Sequence, residues 1–435
     1  MAHPVRLLAA FLLVAAATGT DAAAPPPATE TVTVQVPAGM DAPPFDAKRS
    51  LRLPPGFSIA VYARIRQARF MAVAPNGDLL VTQPSAGRIV LVRNKGQGPP
   101  QQLQFASGLR HPQGLAFDQL NGVTYLYIAD SNRVLRARYR DGQTTLGHTE
   151  TVVDHLPDGS GSSGGYAHPL KNIALHRGKL YVSIGSSCNV CASDTTADPV
   201  RGTIYQYDAD GSHRHLYARG LRNAEGLAFE PGTDRLWVVV NSRDNMAFPR
   251  HDDRNGDGHD DFGKVMQSYV DGHPPDLLTL VKEGGNYGWP FCNPDPDQGL
   301  DDMHYERDVQ TNADGNQLDC NRIARPTLGI AAHSAPLGLS FLSEAGWPAP
   351  FRHALVTALH GCWNCSRLNG HKVAVYPLGA DGKPGAPLDL VTGWITDADA
   401  KQRWGRPVDA VPDRHGGLYI SDDYSGAVYL LRKTQ

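Results

Sequence analysis

Residues 168–186 read HPLKNIALHRGKLYVSIGS. A polar approach leads into an apolar run, a turn at Arg177-Gly178, and a second run that alternates with a period of two. That is the pattern of two short antiparallel strands with one face buried on each. The same phrase recurs along the chain. RFMAVAPNGDLLVTQ (69–83) and HPQGLAFDQLNGVTYLYIAD (111–130) precede it. RNAEGLAFEPGTDRLWVVVN (222–241), the less regular APLGLSFLSEAGWPAPFRHALVTALHG (335–361) and RPVDAVPDRHGGLYISDD (406–423) follow. Several copies continue into a third strand, as in GRIVLVRN, GTIYQYDADG, HKVAVYPL and GAVYLLRK. Six copies of a strand–turn–strand unit, with helix-period segments almost absent, indicate radial repetition. The expected fold is all-β, a six-bladed β-propeller with four-stranded blades.

Length and composition agree with one large β-domain. The chain has 435 residues, 41% of them hydrophobic, and its 45 Gly and 33 Pro suit a fold rich in tight turns. The formal net charge is −3 with no basic run, which argues against nucleic acid as a partner. Residues 1–24 combine Arg6, an apolar stretch from Leu7 to Gly19 and small residues at 22–24, as a signal peptide does. The apolar run is too short for a membrane span. A mobile Pro/Ala/Thr-rich lead-in is expected over 25–50, and the propeller over 51–435. The localisation expected is periplasmic or secreted.

Six cysteines fall as Cys188/Cys191, Cys292/Cys320 and Cys362/Cys365. In an exported chain such pairs favour disulfides over a four-thiolate zinc site or a redox pair.

In a propeller the innermost strand of each blade runs beside a central channel, so residues at its start gather at one mouth. Here those positions carry His111 and Gln113, His168 and Lys171, Arg222 and Asn223, His333, and Arg406. Packing alone needs none of them. A ring of this kind suits an anionic or highly polar ligand. A calcium-dependent lactonase would need acidic groups converging on a central ion, and a non-catalytic NHL-type module would need no cofactor. Both are kept as alternatives, the first disfavoured by the basic ring.

The segments GLRNAEGLAFEPG (220–232), LVKEGGNYGWPFCNP (280–294), LYVSIGSSCNVC (180–191), HSAPLGLSF (333–341) and HGCWNCS (360–366) together resemble the sugar dehydrogenases dependent on pyrroloquinoline quinone (PQQ). Within these, the chain is most similar to the sorbosone/aldose dehydrogenase branch, related to soluble glucose dehydrogenase. The resemblance covers Leu51 to the C-terminus. It departs in an acidic insertion at 250–275 and at Cys362 and Cys365.

What the resemblance implies can be placed on this sequence. His168 matches the general base. Arg222 and Asn223 match a pair that contacts the quinone. Gln113 matches a polar residue near the sugar. Arg406 and Arg403 match the arginines on the cofactor's carboxylates, and Lys372 a lysine with the same task. Calcium would bridge cofactor and protein through main-chain carbonyls at Arg243 and Asp244. Electrons would pass to a separate acceptor, a quinone or a cytochrome, since neither Cys-x-x-Cys is followed by the His of a haem attachment.

The chemistry is consistent with those residues. A tricarboxylate needs several cations, and arginine's planar fork suits carboxylates. A neutral imidazole among arginines is a suitable acceptor for a sugar hydroxyl proton. Separately, DDRNGDGHDD (252–261) sets Asp253, Asn255, Asp257 and Asp261 at the spacing of an oxygen-rich calcium loop. Its twelfth position is Lys264, so it is not an EF-hand, and the alternative is a solvated acidic turn. Trp289, Trp363 and Trp404 are candidates either for stacking on a sugar or for core packing.

Overall fold

The computed structural model describes residues 28–434 except 97, 161–166 and 343–345. The expected signal peptide lies outside the described residues. Among the described residues six sheets make six blades, five of four antiparallel strands and blade three of four with a short fifth strand added in parallel at its edge. Their innermost strands are Met71–Val73, Leu115–Leu120, Ile173–His176, Asn223–Phe229, Pro336–Leu342 and Pro407–Pro412. Each is the first strand of one of the repeated phrases.

The sixth blade closes the ring. Phe57–Arg64, from the start of the domain, pairs antiparallel with Ala427–Lys433 from its end, with Val61 opposite Tyr429. Such closure removes the free edges that an open sheet would expose.

Packing accounts for the strand patterns. The outermost strand Phe57–Arg64 alternates strictly between buried and half-buried residues. Central strands such as Ala354–Leu359 are buried throughout, because a neighbouring blade covers each face. The main apolar clusters accordingly lie between adjacent blades. One joins Tyr127 and Val134 to Val182 and Tyr205, and another joins Trp237 and Leu278 to Leu355 and Tyr376.

The segment 28–50 differs from expectation. Glu30–Thr33 pairs with Ser50–Leu53, and Val34, Met40 and Phe45 enter the core between blades five and six. These apolar side chains anchor the stretch that its Pro and Ala content suggested would be mobile. All three expected disulfides are present: Cys188–Cys191, Cys292–Cys320 and Cys362–Cys365.

Blade four carries the longest insertions. Residues 242–275 leave its second strand, and 282–327 separate Asp276–Val281 from Leu328–Ile330. The second insertion adds Gly285–Asn286 as a parallel edge to blade three. It also forms a hairpin of Cys292–Asp295 with His304–Arg307, tied down by Cys292–Cys320.

Candidate functional site

A cavity of about 310 Å3 opens where the strand starts meet. Its lining includes Arg69, His168, Arg222, Asn223, His360 and Arg406, from five blades. The propeller thus joins residues that are hundreds of positions apart in the chain.

His168 is fixed at both backbone and ring. Its N–H donates to the Ser186 carbonyl at 2.9 Å, and its Nδ1 lies 2.9 Å from Ser186 Oγ. That leaves Nε2 for a ligand. Burial, and then the Arg222 charge, hold its pKa well below the ordinary histidine value, so the ring is neutral at pH 7. Gly185 is the close neighbour that permits this placement. A Cβ there would stand 2.5 Å from His168 Cβ and 2.8 Å from Asn223 Oδ1.

Arg222 is buried and almost fully committed. Nε donates to Asn189 O (3.1 Å), Nη1 to Ser242 O (2.8 Å), and Nη2 to Asn189 Oδ1 (3.1 Å) and Asp244 Oδ2 (2.9 Å). A guanidinium has five N–H groups, so these four bonds leave one for a ligand. Asn189 also pairs with the backbone of Asp244 in both directions, each at 2.8 Å. It sits inside the Cys188–Cys191 turn, whose bridge therefore stiffens the loop that aims Arg222.

Below the mouth, Glu225 is buried and gathers three amides. Gln113 Nε2 and Asn172 Nδ2 donate to its Oε2 at 2.9 and 2.8 Å, and Asn223 Nδ2 donates to Oε1 at 3.0 Å. Burial raises the pKa of this carboxyl. Gln113, expected near the substrate, is thus a buried prop for the Glu225 carboxylate.

The opposite wall contains a linked set that strand-start reasoning passed over. His360 Nε2 lies 2.9 Å from Asp423 Oδ1, and Arg69 Nη1 pairs with Asp423 Oδ2 at 3.0 Å. Burial pushes the Asp423 carboxyl up, but His360 and Arg69 outweigh it and hold it well below the usual range. Burial lowers His360 to about 4. Arg406 donates Nε to His360 O (2.9 Å) and Nη2 to Gly361 O (3.0 Å), which leaves three of its N–H groups to a ligand. Arg69 was legible: it opens the first repeated phrase, where His168, Arg222 and Arg406 open theirs. His360 was not, because it follows a second strand.

His333 enters from blade five with a positive φ of 58°, and its Nε2 lies 2.7 Å from Val270 O. Its Nδ1 is 3.9 Å from Asp244 Oδ1. Asp276, pushed up to about 7 by burial, accepts the N–H groups of Ser242 and Ala335 and so holds both strand ends.

Several expected site residues lie elsewhere. Lys372 begins a third strand and pairs with Asp389 at 2.6 Å. Arg403 stacks over Tyr424, 5.1 Å from the ring centre, and does not line the cavity. Lys171 is buried, with Nζ donating to Pro157 O and Pro169 O, where it braces the His168 loop. His111 is exposed. Arg243 turns its guanidinium to Asp308 and Gln310, so only its main chain is left for an ion. Asp244 does reach the cavity.

Among the described residues, Asp253, Asp257 and Asp261 do not form a group whose ligand atoms all lie within 4.8 Å of one another. Asp253 instead caps the N–H groups of Gly256, Asp257 and Gly258, and Asp261 pairs with Asn255 and Lys264. Lys264 occupies the place where a final acidic ligand would stand. Trp404 is buried in the core between blades five and six. Trp289 is buried, with Nε1 on Asn189 O. Trp363, 62% exposed, lies at the rim of the cavity.

A family model described as TrAA12-like matches residues 51–434. A PQQ-dependent sugar dehydrogenase of Hypocrea jecorina is 25% identical over 353 residues, covering 74% of each chain. A PQQ-dependent pyranose dehydrogenase of Coprinopsis cinerea is 28% identical over 284 residues, covering 58% of this chain and 37% of that longer protein. The structure of the PQQ domain of a Coprinopsis cinerea pyranose dehydrogenase superposes with a TM-score of 0.69 at 20% identity, covering 92% of this chain and 100% of that one. It has the same fold.

Proposed function

This chain belongs to the TrAA12-like family, and from that premise we propose that it is a sugar dehydrogenase that uses PQQ, with His168 as general base. One observation carries the reading. A neutral, ring-fixed imidazole and three arginines share a cavity of about 310 Å3, within the size range of cofactor pockets. The donor set suits a tricarboxylate: Arg406 has three N–H groups to give and Arg222 has one.

When bound, PQQ supplies the quinone that takes two electrons from the sugar carbon. The protein's part is to orient and to move a proton. His168 Nε2 takes the hydroxyl proton, while Ser186 at Nδ1 keeps the ring turned toward the substrate. Arg222, held by Asn189, Ser242 and Asp244, sets a fixed positive charge where negative charge grows on oxygen. Asn223, steadied by Glu225, completes that wall.

We propose that calcium binds at the 243–244 segment, where main-chain oxygens and Asp244 Oδ1 would supply oxygen ligands of the kind such an ion takes. The three disulfides support an exported protein. Among the described residues no helix is long and apolar enough to cross a membrane. Electrons leave to a separate acceptor, and the substrate is an aldose or a sugar aldehyde.

The test is to add PQQ and calcium to the purified chain and follow dye reduction with aldoses. His168→Ala should retain PQQ, seen by its absorbance, and lose about 100- to 10,000-fold in turnover, the usual range for a general base. Absence of both quinone absorbance and dye reduction would end the dehydrogenase reading. Near-normal turnover in His168→Ala would remove the base from His168.

A further inference from the structure

The hairpin in the second insertion of blade four carries a group of side chains that the dehydrogenase reading does not use. Asp295 and His304 stand opposite each other in its antiparallel ladder, and Glu306 follows two residues after His304. Side chains two apart on a strand share a face, so the ladder itself brings these three together. Their ligand atoms all lie within 4.8 Å of one another.

Asp295 is the unusual member. Its side chain is fully buried, and Oδ1 accepts the Asp297 N–H at 2.9 Å. Oδ2 has no hydrogen-bond partner, although it lies 3.2 Å from His304 Nε2. A buried carboxylate oxygen without a donor is costly. A simple ion pair with His304 would have aligned an N–H toward it. Two ligand atoms on one tetrahedral zinc ion stand about 3.3 Å apart, given metal–ligand bonds near 2.0–2.1 Å. The observed 3.2 Å fits that spacing.

Neighbouring side chains hold the group in place, with Arg250 Nε 3.5 Å from Glu306 Oε1. His273 Nε2 approaches Asp295 Oδ1 at 3.6 Å from the buried side, and its Nδ1 lies 3.1 Å from Tyr269 O. Tyr269 Oη donates to Glu306 Oε2 at 3.2 Å. Hydrogen bonds of this kind orient the ligands of protein metal sites. His304 is 42% exposed, so the group is open to solvent on one side.

We propose that Asp295, His304 and Glu306 bind a divalent transition-metal ion of the zinc class, with water in the fourth position. An imidazole with two carboxylates favours zinc over calcium, which takes oxygen ligands. The site is distinct from the cavity that holds His168, and the proposal does not depend on the dehydrogenase reading. The same insertion supplies Asp308 to Arg243, the residue before Asp244. Metal binding would therefore pin the insertion that backs the cavity wall.

The test uses the full chain without PQQ or sugar. After stripping with a chelator, the protein is loaded with zinc chloride, desalted and assayed for bound metal, and cobalt(II) is used in parallel as a visible probe. Wild type should retain about one equivalent of zinc and raise its melting temperature on loading. His304→Ala, at a half-exposed position, and Asp295→Asn should each lose zinc retention, the cobalt absorption and the thermal shift. His251→Ala, which breaks an exposed His–Asp pair with Asp260, should retain all three. The proposal is overturned if wild type retains no zinc, or if His304→Ala, folded by circular dichroism, retains as much zinc as wild type.

Discussion

Replacing Glu225 tests how the mouth of the channel is supported. Its two oxygens receive three amide donors, from Gln113, Asn172 and Asn223, all of them buried. Glu225→Ala leaves all three without an acceptor. At about 1–3 kcal/mol for each unsatisfied buried donor, a dry site would lose about 3–9 kcal/mol. A second cavity, of about 330 Å3, is lined by both Asn172 and Glu225. Water can enter from there and reduce the loss toward the lower end, about 3 kcal/mol. Glu225→Gln is different. Its carbonyl can still serve Gln113 and Asn172 at the Oε2 position, and only the bond from Asn223 becomes N–H against N–H. The expected cost is about 1–3 kcal/mol. Chemical denaturation of the two variants measures the difference, and the alanine variant, with three stranded donors against one mispaired, should lose more than the glutamine one. Because Asn223 lies against Gly185 beside His168, both variants should also lower kcat/KM. Equal losses of stability would refute the reasoning, since they would mean that the charge and not the count of donors matters. So would a loss below about 1 kcal/mol in Glu225→Ala, which no account of three stranded donors permits.

Three further outcomes are expected. Gly185→Ala forces a Cβ to within 2.5 Å of His168 Cβ, so turnover should fall at least about tenfold while the protein stays folded; unchanged kinetics would mean that the His168 position is not critical. The base works only when neutral, and burial and Arg222 hold its pKa well below 6.5, so the acid limb of kcat/KM against pH should have its midpoint below 6.5. A midpoint at or above that value would contradict the burial argument. Asp409, buried and accepting the N–H groups of Met71 and Ala410, is pushed up from 3.8 to about 7. The folded state thus binds this proton more tightly than the unfolded chain. Its contribution to stability is full below pH 3.8 and lost as pH rises through about 7, by up to about 4 kcal/mol at 1.4 per pKa unit. Denaturation of Asp409→Asn beside wild type at pH 5 and pH 8 should show the smaller decline in the variant.

The metal and cofactor expectations divide by the kind of evidence each needed. His168, Arg222 and Arg406 open repeated phrases, so a periodic sequence places them at one mouth. Lys372 and Arg403 were carried by the family resemblance alone, across loops of differing length, and neither lines the cavity. The acidic loop at 253–261 has the residue types of a calcium site, but short Asp and Asn side chains bond their own backbone equally well. Composition cannot separate those two uses.

The sequence by itself determined the blade count, the innermost strand of each blade and the disulfide pairs. Each follows from local facts: a period of two, turn residues at fixed places, and cysteines close in the chain or left over as the last pair. The folding of residues 28–50 onto blades five and six was decided only in three dimensions, because three scattered apolar side chains carry no period. The same holds for the His360–Asp423–Arg69 set, the Glu225 hub and the Asn189 clamp on Arg222. Each joins residues from different blades. Their contacts depend on how far each blade is rotated about the channel, which is fixed by the apolar packing between neighbours and by no single stretch of the chain.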